Sequence, residues 1–301
     1  MESAKILVIG SLNMDWIIKI SHTPVAGETI MGQFIEEVPG GKGGNQAYAA
    51  SSLGGNVTML GCIGNDLTGQ KLINSLQKSG VNTSSINIQP ESQSGMALIY
   101  INDTGNNSIV VLPNANNTVS KEMIHAHQNL IEEAEIVLLQ MEIPHESVYE
   151  AVQIAHALHK TIILNPAPAP SFIPDDILCQ IDYLTPNETE LEILSGCSIK
   201  SIEDAHQAAQ LLIEKGVKNI IVTLGAHGAL LVNPLETTHF SGHSVHAIDT
   251  TAAGDSFNGA IAVCLAEGKS IYEAISFANR VASITVTRSG AQSSIPYRHE
   301  V

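Results

Sequence analysis

The segment Asp249-Thr250-Thr251-Ala252-Ala253-Gly254-Asp255-Ser256-Phe257-Asn258-Gly259 runs into an apolar helical stretch. Ala252, Ala253 and Gly254 carry little or no side chain, so the bare amides of a helix N-terminus are open to a ligand. Such amides, together with the positive end of the helix dipole, favour a phosphate. Asp255 stands beside that anion site. A carboxylate next to a bound phosphate is a poor device for binding alone. It is suited to taking a proton from a hydroxyl that attacks the phosphorus. The pattern predicts phosphoryl transfer to an alcohol.

Further clusters could serve such a reaction. Gly40-Gly41-Lys42-Gly43-Gly44-Asn45 lies just before a helical run, Gln46–Leu53. It is not a Walker loop, because Glu36 stands where the first glycine belongs and Gly43 follows the lysine. The glycines suit either a flexible loop or close approach of backbone to a small ligand, with Lys42 and Asn45 as polar partners. Asn13 and Asp15 follow the first strand, where ligand crevices of open α/β sheets lie. Their spacing puts both on one face of an extended segment. They could offer acceptors and a donor to adjacent hydroxyls of a polyol, or cap a turn. Glu142, just past another strand, is a second crevice carboxylate or a solvated loop residue. Asn187 and Glu190 have the spacing of a helix capping box, and the same pair could hold a hydrated Mg²⁺ carried by nucleotide phosphates. Thr223-Leu224-Gly225-Ala226-His227-Gly228 is either a nucleotide-contacting turn or the turn into a strand at Ala229–Val232.

The elements that must position these residues alternate between short apolar runs and helical ones. Strand-like runs are Lys5–Gly10, Asn56–Gly61, Glu135–Met141, Thr161–Asn165, Asp182–Thr185 and Asn219–Leu224. Helical stretches between them include Gln70–Lys78, Ser147–His159 and Ala205–Lys215, and Gly54, Gly80 and Gly216 are suited to stop helices. Repeated βα units predict an α/β fold with a doubly wound, mostly parallel sheet flanked by helices on both faces. Two stretches break the rhythm. Residues 12–36 carry an alternating run, Trp16–Ile20, and a turn from Pro24 to Gly27. Residues 95–112 read as a hairpin of Met96–Ile101 and Ser108–Leu112 around Asn102-Asp103-Thr104-Gly105. They predict a small antiparallel sheet, either a lid over a site or an extension of the main sheet. No long linker or repeat divides the chain, which reads as one catalytic domain over residues 1–301.

With 301 residues, 44% of them hydrophobic and 15% charged, the chain can bury a large core. A net charge of −16 opposes general affinity for nucleic acid or an anionic membrane, although local amides and a metal can still hold a nucleotide. Cys62, Cys179, Cys197 and Cys264 have apolar neighbours and no metal-ligand spacing, which predicts buried free thiols in a reducing compartment. Met1-Glu2-Ser3-Ala4-Lys5 lacks a signal-peptide layout and no run is long enough to span a bilayer, so the cytoplasm is the expected location. His239, His243 and His246 read as the wet face of a strand, and His156 and His159 lie a helical turn apart. Neither set has the cysteine or carboxylate that would complete a zinc site.

Taken together, these residues resemble the ribokinase branch of the ribokinase-like (PfkB) carbohydrate kinase family over essentially the whole chain. GGKGGNQA at 40–47 is similar to the family's N-terminal signature and DTTAAGDSFNGA at 249–260 to its C-terminal one. NPAPA at 165–169, TPNETE at 185–190, VTLGAHG at 222–228 and TRSGAQSSIP at 287–296 stand in the same order as in the family. The resemblance implies that ATP phosphorylates the 5-hydroxyl of D-ribose. By motif match Asp255 would be the base, and the backbone amides of Ala252, Ala253, Gly254 and Asp255 the anion hole. Asn13, Asp15, Gly41, Lys42, Asn45 and Glu142 would hold the sugar. Asn187, the turn Thr223, Leu224, Gly225, Ala226, His227 and Gly228, and also Gly254 and Asn279, would contact ATP, while Glu190 would help organise Mg²⁺. A monovalent cation, usually K⁺, would activate the enzyme from Asp249, Thr251, Thr285, Arg288, Gly290 and Ser294, mostly through carbonyl oxygens. Homodimerisation through the β lid is a further expectation, as is the loss or truncation of a final helix after Pro296. A kinase for another pentose or a nucleoside, such as deoxyribose or adenosine, is an alternative. A sugar-binding sensor without catalysis is another, opposed by the retention of Asp255 within an intact anion-hole motif.

Overall fold

The computed structural model describes residues 4–104 and 107–301. Met1 to Ser3 and Gly105, which enter the expectations for the N-terminus and the hairpin turn, lie outside the described residues. In chain order the strands are β1 (Lys5–Ile9), β2 (Asn13–Lys19), β3 (Phe34–Gly40), β4 (Asn56–Gly64), β5 (Asn82–Gln89), β6 (Gly95–Ile101), β7 (Asn107–Leu112), β8 (Ile136–Gln140), β9 (Thr161–Asn165), β10 (Tyr183–Leu184), β11 (Asn219–Thr223), β12 (Ala229–Val232) and β13 (Thr237–Phe240). The α-helices are α1 (Lys42–Ser52), α2 (Leu67–Ser79), α3 (Lys121–Ala126), α4 (Gln128–Glu133), α5 (His145–Ala157), α6 (Asp175–Leu178), α7 (Glu188–Ser195), α8 (Ile202–Glu214), α9 (Ala253–Ala266) and α10 (Ile271–Thr285).

The larger sheet has the order β13-β12-β11-β10-β9-β8-β1-β4-β5. It is parallel from β5 to β11 and antiparallel at β12 and β13. Its central strands are apolar on both faces because both faces are covered. Leu7, Ile9, Val137 and Leu139 pack with residues of α3 to α8, whereas Ile6, Val8, Ile136 and Leu138 pack with residues of α1, α2, α9 and α10. This division follows the two-residue period of a strand and makes the three-layer α/β architecture. The smaller sheet has the order β3-β2-β6-β7. Its outer pairs are antiparallel and its central pair, β2 with β6, runs parallel. No helix of the described residues is long and apolar enough to cross a membrane.

Several expectations move. Helix α1 begins at Lys42, four residues before the expected start, so Lys42 to Asn45 are its first turn rather than a preceding loop. Gly41, at φ 82°, turns the chain into it. The orphan amides of that turn find oxygen partners: Lys42 N donates to Glu142 Oε2 (2.9 Å) and Gly44 N to Ser11 O (2.9 Å). That compensates for the poor helix propensity of glycine. Strand β5 has a polar sequence, NTSSINIQ, and was not expected; it pairs in parallel with β4 at the sheet edge, where one apolar face suffices. Cys62 and Cys264 are buried, but Cys179 is exposed and Cys197 half-buried, because both lie beyond short helix ends rather than on core-facing positions. His239 sits exposed on β13, but the strand stops at Phe240, and His243 and His246 lie in a loop that borders a cavity.

Candidate active site

Strand β1 lies between β4 and β8, and the chain winds outward from it in both directions. Such a reversal leaves a crevice at the strands' carboxyl ends. Gly10 and Ser11 follow β1 there, and Glu142 follows β8. Glu142 Oε2 accepts from Ser11 Oγ (2.5 Å) and from Lys42 N, while Gly43 N donates to Ser11 Oγ (3.3 Å). The contact is backbone on backbone: a Cβ on Gly43 would lie 2.6 Å from Ser11 N, and one on Gly41 would lie 2.6 Å from Asn13 N. Asn13 is buried and its Oδ1 accepts from Asn116 Nδ2 (2.7 Å), which also donates to Leu12 O. Asn116 was not anticipated, having no motif around it. Asp15 faces the same crevice over Gly40, whose Cβ would meet Asp15 Oδ2 at 2.2 Å.

Asp255 reaches the crevice from the other side. Ala252, in the left-handed region at φ 60°, starts α9, so Asp255 falls on its first turn. The carboxylate is buried, and both oxygens accept from the glycine-loop helix: Oδ2 from Asn45 Nδ2 (3.0 Å) and Oδ1 from Gln46 Nε2 (3.0 Å). Asn45 Oδ1 is buried with no protein partner, an acceptor left for a ligand hydroxyl. Burial pushes the Asp15 carboxyl up to about 7; Glu142 and Asp255 add to the rise and Lys42 opposes it. Burial works against the charge of Lys42, but Asp255, Glu142, Glu190 and Asp15 together outweigh it and raise its pKa. One half-buried ammonium among four carboxyl groups makes a strongly polar crevice suited to a polyhydroxyl ligand.

On the far side of the α9 N-terminus lies a cavity of about 650 Å³. Asn187, Thr223, Gly225, Ala226, Gly228, Ala253, Gly254 and Asn279 line it. Leu224 is buried beneath the turn, which Leu224 N closes on Gly228 O (2.8 Å). His227 is exposed, with its carbonyl accepting from His239 Nε2 (2.9 Å). The loop of Gly242, His243, Ser244, Val245 and Ala247 forms part of the wall; its alternating residues had read as strand, so nothing in the sequence marked it. A Cβ on Gly254 would meet nothing within 4 Å, so Gly254 borders open space, while the neighbouring Ala253 N donates to Thr250 O (3.3 Å). Asn187 and Glu190 form the capping box: Glu190 N donates to Asn187 Oδ1 (2.8 Å) and Asn187 N to Glu190 Oε2 (2.9 Å). Burial raises the pKa of the Glu190 carboxyl against the pull of the Asn187 amide and Lys42.

Of the cation set, Asp249 ties two distant loops together. Its Oδ1 accepts from Thr251 N (2.9 Å) and its Oδ2 from Gly290 N (2.9 Å), hydrogen bonds that outweigh burial and lower its pKa. Ala252 packs with Ala291 and Ile295, so the 290s loop and the start of α9 share one small apolar cluster. Thr285 Oγ1 donates to Ser256 Oγ (3.0 Å) and Ser294 Oγ to Ala291 O (2.7 Å), while the Arg288 guanidinium pairs outward with Glu300. Among the described residues, no group of three or more His, Cys, Asp or Glu is placed to hold a metal ion.

A family model, pfkB family carbohydrate kinase, matches residues 3–298. A ribokinase of Haemophilus influenzae is 41% identical over 293 residues, covering 97% of this chain and 95% of the relative. A deoxyribokinase of Salmonella typhi is 36% identical over 291 residues, covering 97% and 95%. The solved structure of Arabidopsis thaliana ribokinase complexed with ribose and ATP matches with a TM-score of 0.93 at 32% identity, covering 99% of this chain and 97% of that one.

Proposed function

The chain belongs to the pfkB family of carbohydrate kinases, and from that membership we propose that it transfers the γ-phosphoryl group of ATP to the 5-hydroxyl of D-ribose. The observation that carries this reading is the place of Asp255: a buried carboxylate oriented by Asn45 and Gln46, next in the chain to Ala253 and Gly254, which line the cavity of about 650 Å³. Asn13, Asp15, Gly41, Lys42, Asn45 and Glu142 hold the sugar with its O5 at Asp255. As that oxygen bonds to phosphorus and the bond to the leaving ADP oxygen breaks, Asp255 takes the hydroxyl proton. The amides from Ala252 to Asp255 stabilise the charge on the transferring oxygens. Glu190, through water, would hold the Mg²⁺ that offsets phosphate charge; the cap uses its Oε2, which leaves Oε1 for this role among the described residues. The loops joined by Asp249 would hold a K⁺ ion through Asp249, Thr251, Thr285, Arg288, Gly290 and Ser294. Equal turnover in K⁺ and Na⁺ at matched ionic strength would remove that part of the reading.

Residues 1–301 form one catalytic domain on this reading, with about 12–36 and 95–112 as a β lid that excludes water. An ATP-consuming enzyme with free cysteines fits the cytoplasm. The similarity to a deoxyribokinase supports a second reading, in which deoxyribose is the acceptor. Asp15, placed for the far hydroxyls, favours ribose, because a site built around a hydroxyl is left with an unpaired buried group by the analogue lacking it. ADP release measured with ribose, deoxyribose, fructose and adenosine tests both. Ribose is expected to give the highest kcat/KM; ADP release that no acceptor accelerates would overturn the proposal.

A further inference from the structure

Gln46 is wholly buried just after the first turn of α1, and its amide makes three hydrogen bonds. Nε2 donates to Asp255 Oδ1 (3.0 Å) and to Asn165 Oδ1 (3.1 Å), and Oε1 accepts from Gln140 Nε2 (2.7 Å). A primary amide has two N–H donors, so both are in use. Their direction is fixed from the far end. Thr185 O is a backbone carbonyl and can only accept; it receives Asn165 Nδ2 at 3.0 Å. Asn165 must therefore turn its oxygen toward Gln46, and Gln46 must answer with its nitrogen. A reversed Gln46 would set Oε1 against two acceptors and Nε2 against the nitrogen of Gln140.

Gln140 and Gln46 are completely buried and Asn165 nearly so, a costly arrangement of polar side chains in an apolar core. The molecule makes room for it: a Cβ at Gly10 would lie 2.0 Å from Gln140 Oε1. From Thr185 the chain continues, with Thr185 Oγ1 donating to Asn258 Oδ1 (2.6 Å) and Asn258 Nδ2 to Gly254 O (2.9 Å). One hydrogen-bonded frame thus sets both the rotation of the Asp255 carboxylate and the position of the α9 N-terminus.

We propose that Gln46, locked by Asn165 and Gln140, is a positioning residue that fixes the plane of the Asp255 carboxylate toward the attacking hydroxyl. The inference rests on Asp255 being the proton acceptor. Its test compares Gln46→Met, Gln46→Glu and Gln140→Met with the parent in steady-state kinetics on ribose and ATP. In Gln46→Met, kcat is expected to fall about 10²-fold, the loss typical of a misplaced reacting group, with ribose KM little changed. Gln46→Glu keeps the length of the side chain but removes the donor and adds a like charge, so its kcat is expected to fall at least as far, again with ribose KM little changed. Gln140→Met, which removes one of the two locks, falls between parent and Gln46→Met. The other charged groups coupled to this carboxylate are Lys42 on α1, Asp15 on β2 and Glu190 on α7, and all three stay the same. A Gln46→Met enzyme with parental kcat, or a loss of kcat matched by an equal rise in ribose KM, overturns the proposal. The near-isosteric Gln46→Glu carries the test if Gln46→Met does not fold. Asp255→Asn serves as the control: near-normal turnover there removes the base itself, whereas low turnover there with parental Gln46 variants removes only the positioning role.

Discussion

Asp255 and Asp15 share one crevice but have different surroundings, and their roles differ accordingly. Asp255 receives two amide donors, whereas among the described residues no hydrogen bond to Asp15 offsets its burial beside two other carboxylates and a lysine. Asp255→Asn keeps the shape and one acceptor oxygen but cannot take a proton. Turnover is expected to fall by about 10²–10⁴, with ribose affinity by calorimetry close to parental. Asp15 titrates at about 7 in the free protein, against roughly 3.9 in an unfolded chain. Between these values the folded chain holds a proton that the unfolded chain does not. Stability therefore falls as pH rises through that window. Asp15→Asn should match the parent's Tm near pH 4 and exceed it at pH 8, and it should bind ribose weakly at both. The parent's ribose affinity should rise with pH up to about 7, as the carboxylate becomes available to sugar hydroxyls. A Tm difference that does not vary with pH would contradict this account of Asp15.

At the scale of elements, the first turn of α1 shows packing overruling propensity. Gly43→Ala would favour the helix by about 1 kcal/mol. The added Cβ, however, would meet Ser11 N at 2.6 Å and Gly10 C at 2.7 Å, both backbone atoms that cannot swing aside. Overpacking of that kind costs about 1–3 kcal/mol, so the clash wins. The variant should unfold at lower temperature, with ribose KM raised while ADP affinity stays parental, since no residue of α1 lines the cavity proposed for the nucleotide. An ADP affinity that fell in parallel would show that the two sites are not separable at this helix. The capping box of α7 serves a different end, holding Asn187 at the cavity wall by the same bonds that start the helix.

Across the whole molecule, the edges of the smaller sheet stand out for apolar side chains left uncovered. Phe34 and Ile35 on β3 and Ile109, Val110, Val111 and Leu112 on β7 are all exposed, on the two edge strands of that sheet. Edge strands with such side chains seek pairing or cover. A second copy of the chain is the proposed partner, joined sheet to sheet. Light scattering after size exclusion should give twice the 31.9 kDa of one chain. Ile109→Asp with Val111→Asp should return it to one copy. A monomer at micromolar concentration before any substitution would refute this assembly.

The sequence by itself determined the features whose physics is local. The α9 start was legible because Ala252 to Asp255 are contiguous, and the capping box because its partners lie three residues apart. The parallel sheet was legible because IVLLQ and TIILN are apolar on both faces. Tertiary structure alone decided what depends on residues far apart in the chain. Gln46 meets Asp255 across 209 positions and Asn116 meets Asn13 across 103, and no local pattern records either pairing. The one trace in the sequence was a polar residue, Gln140 or Asn165, closing an otherwise apolar strand. The exposed thiol of Cys179 and the cavity-lining loop at 242–247 also escaped, because apolar neighbours and alternation describe what a segment could bury, not what the rest of the chain arrives to cover.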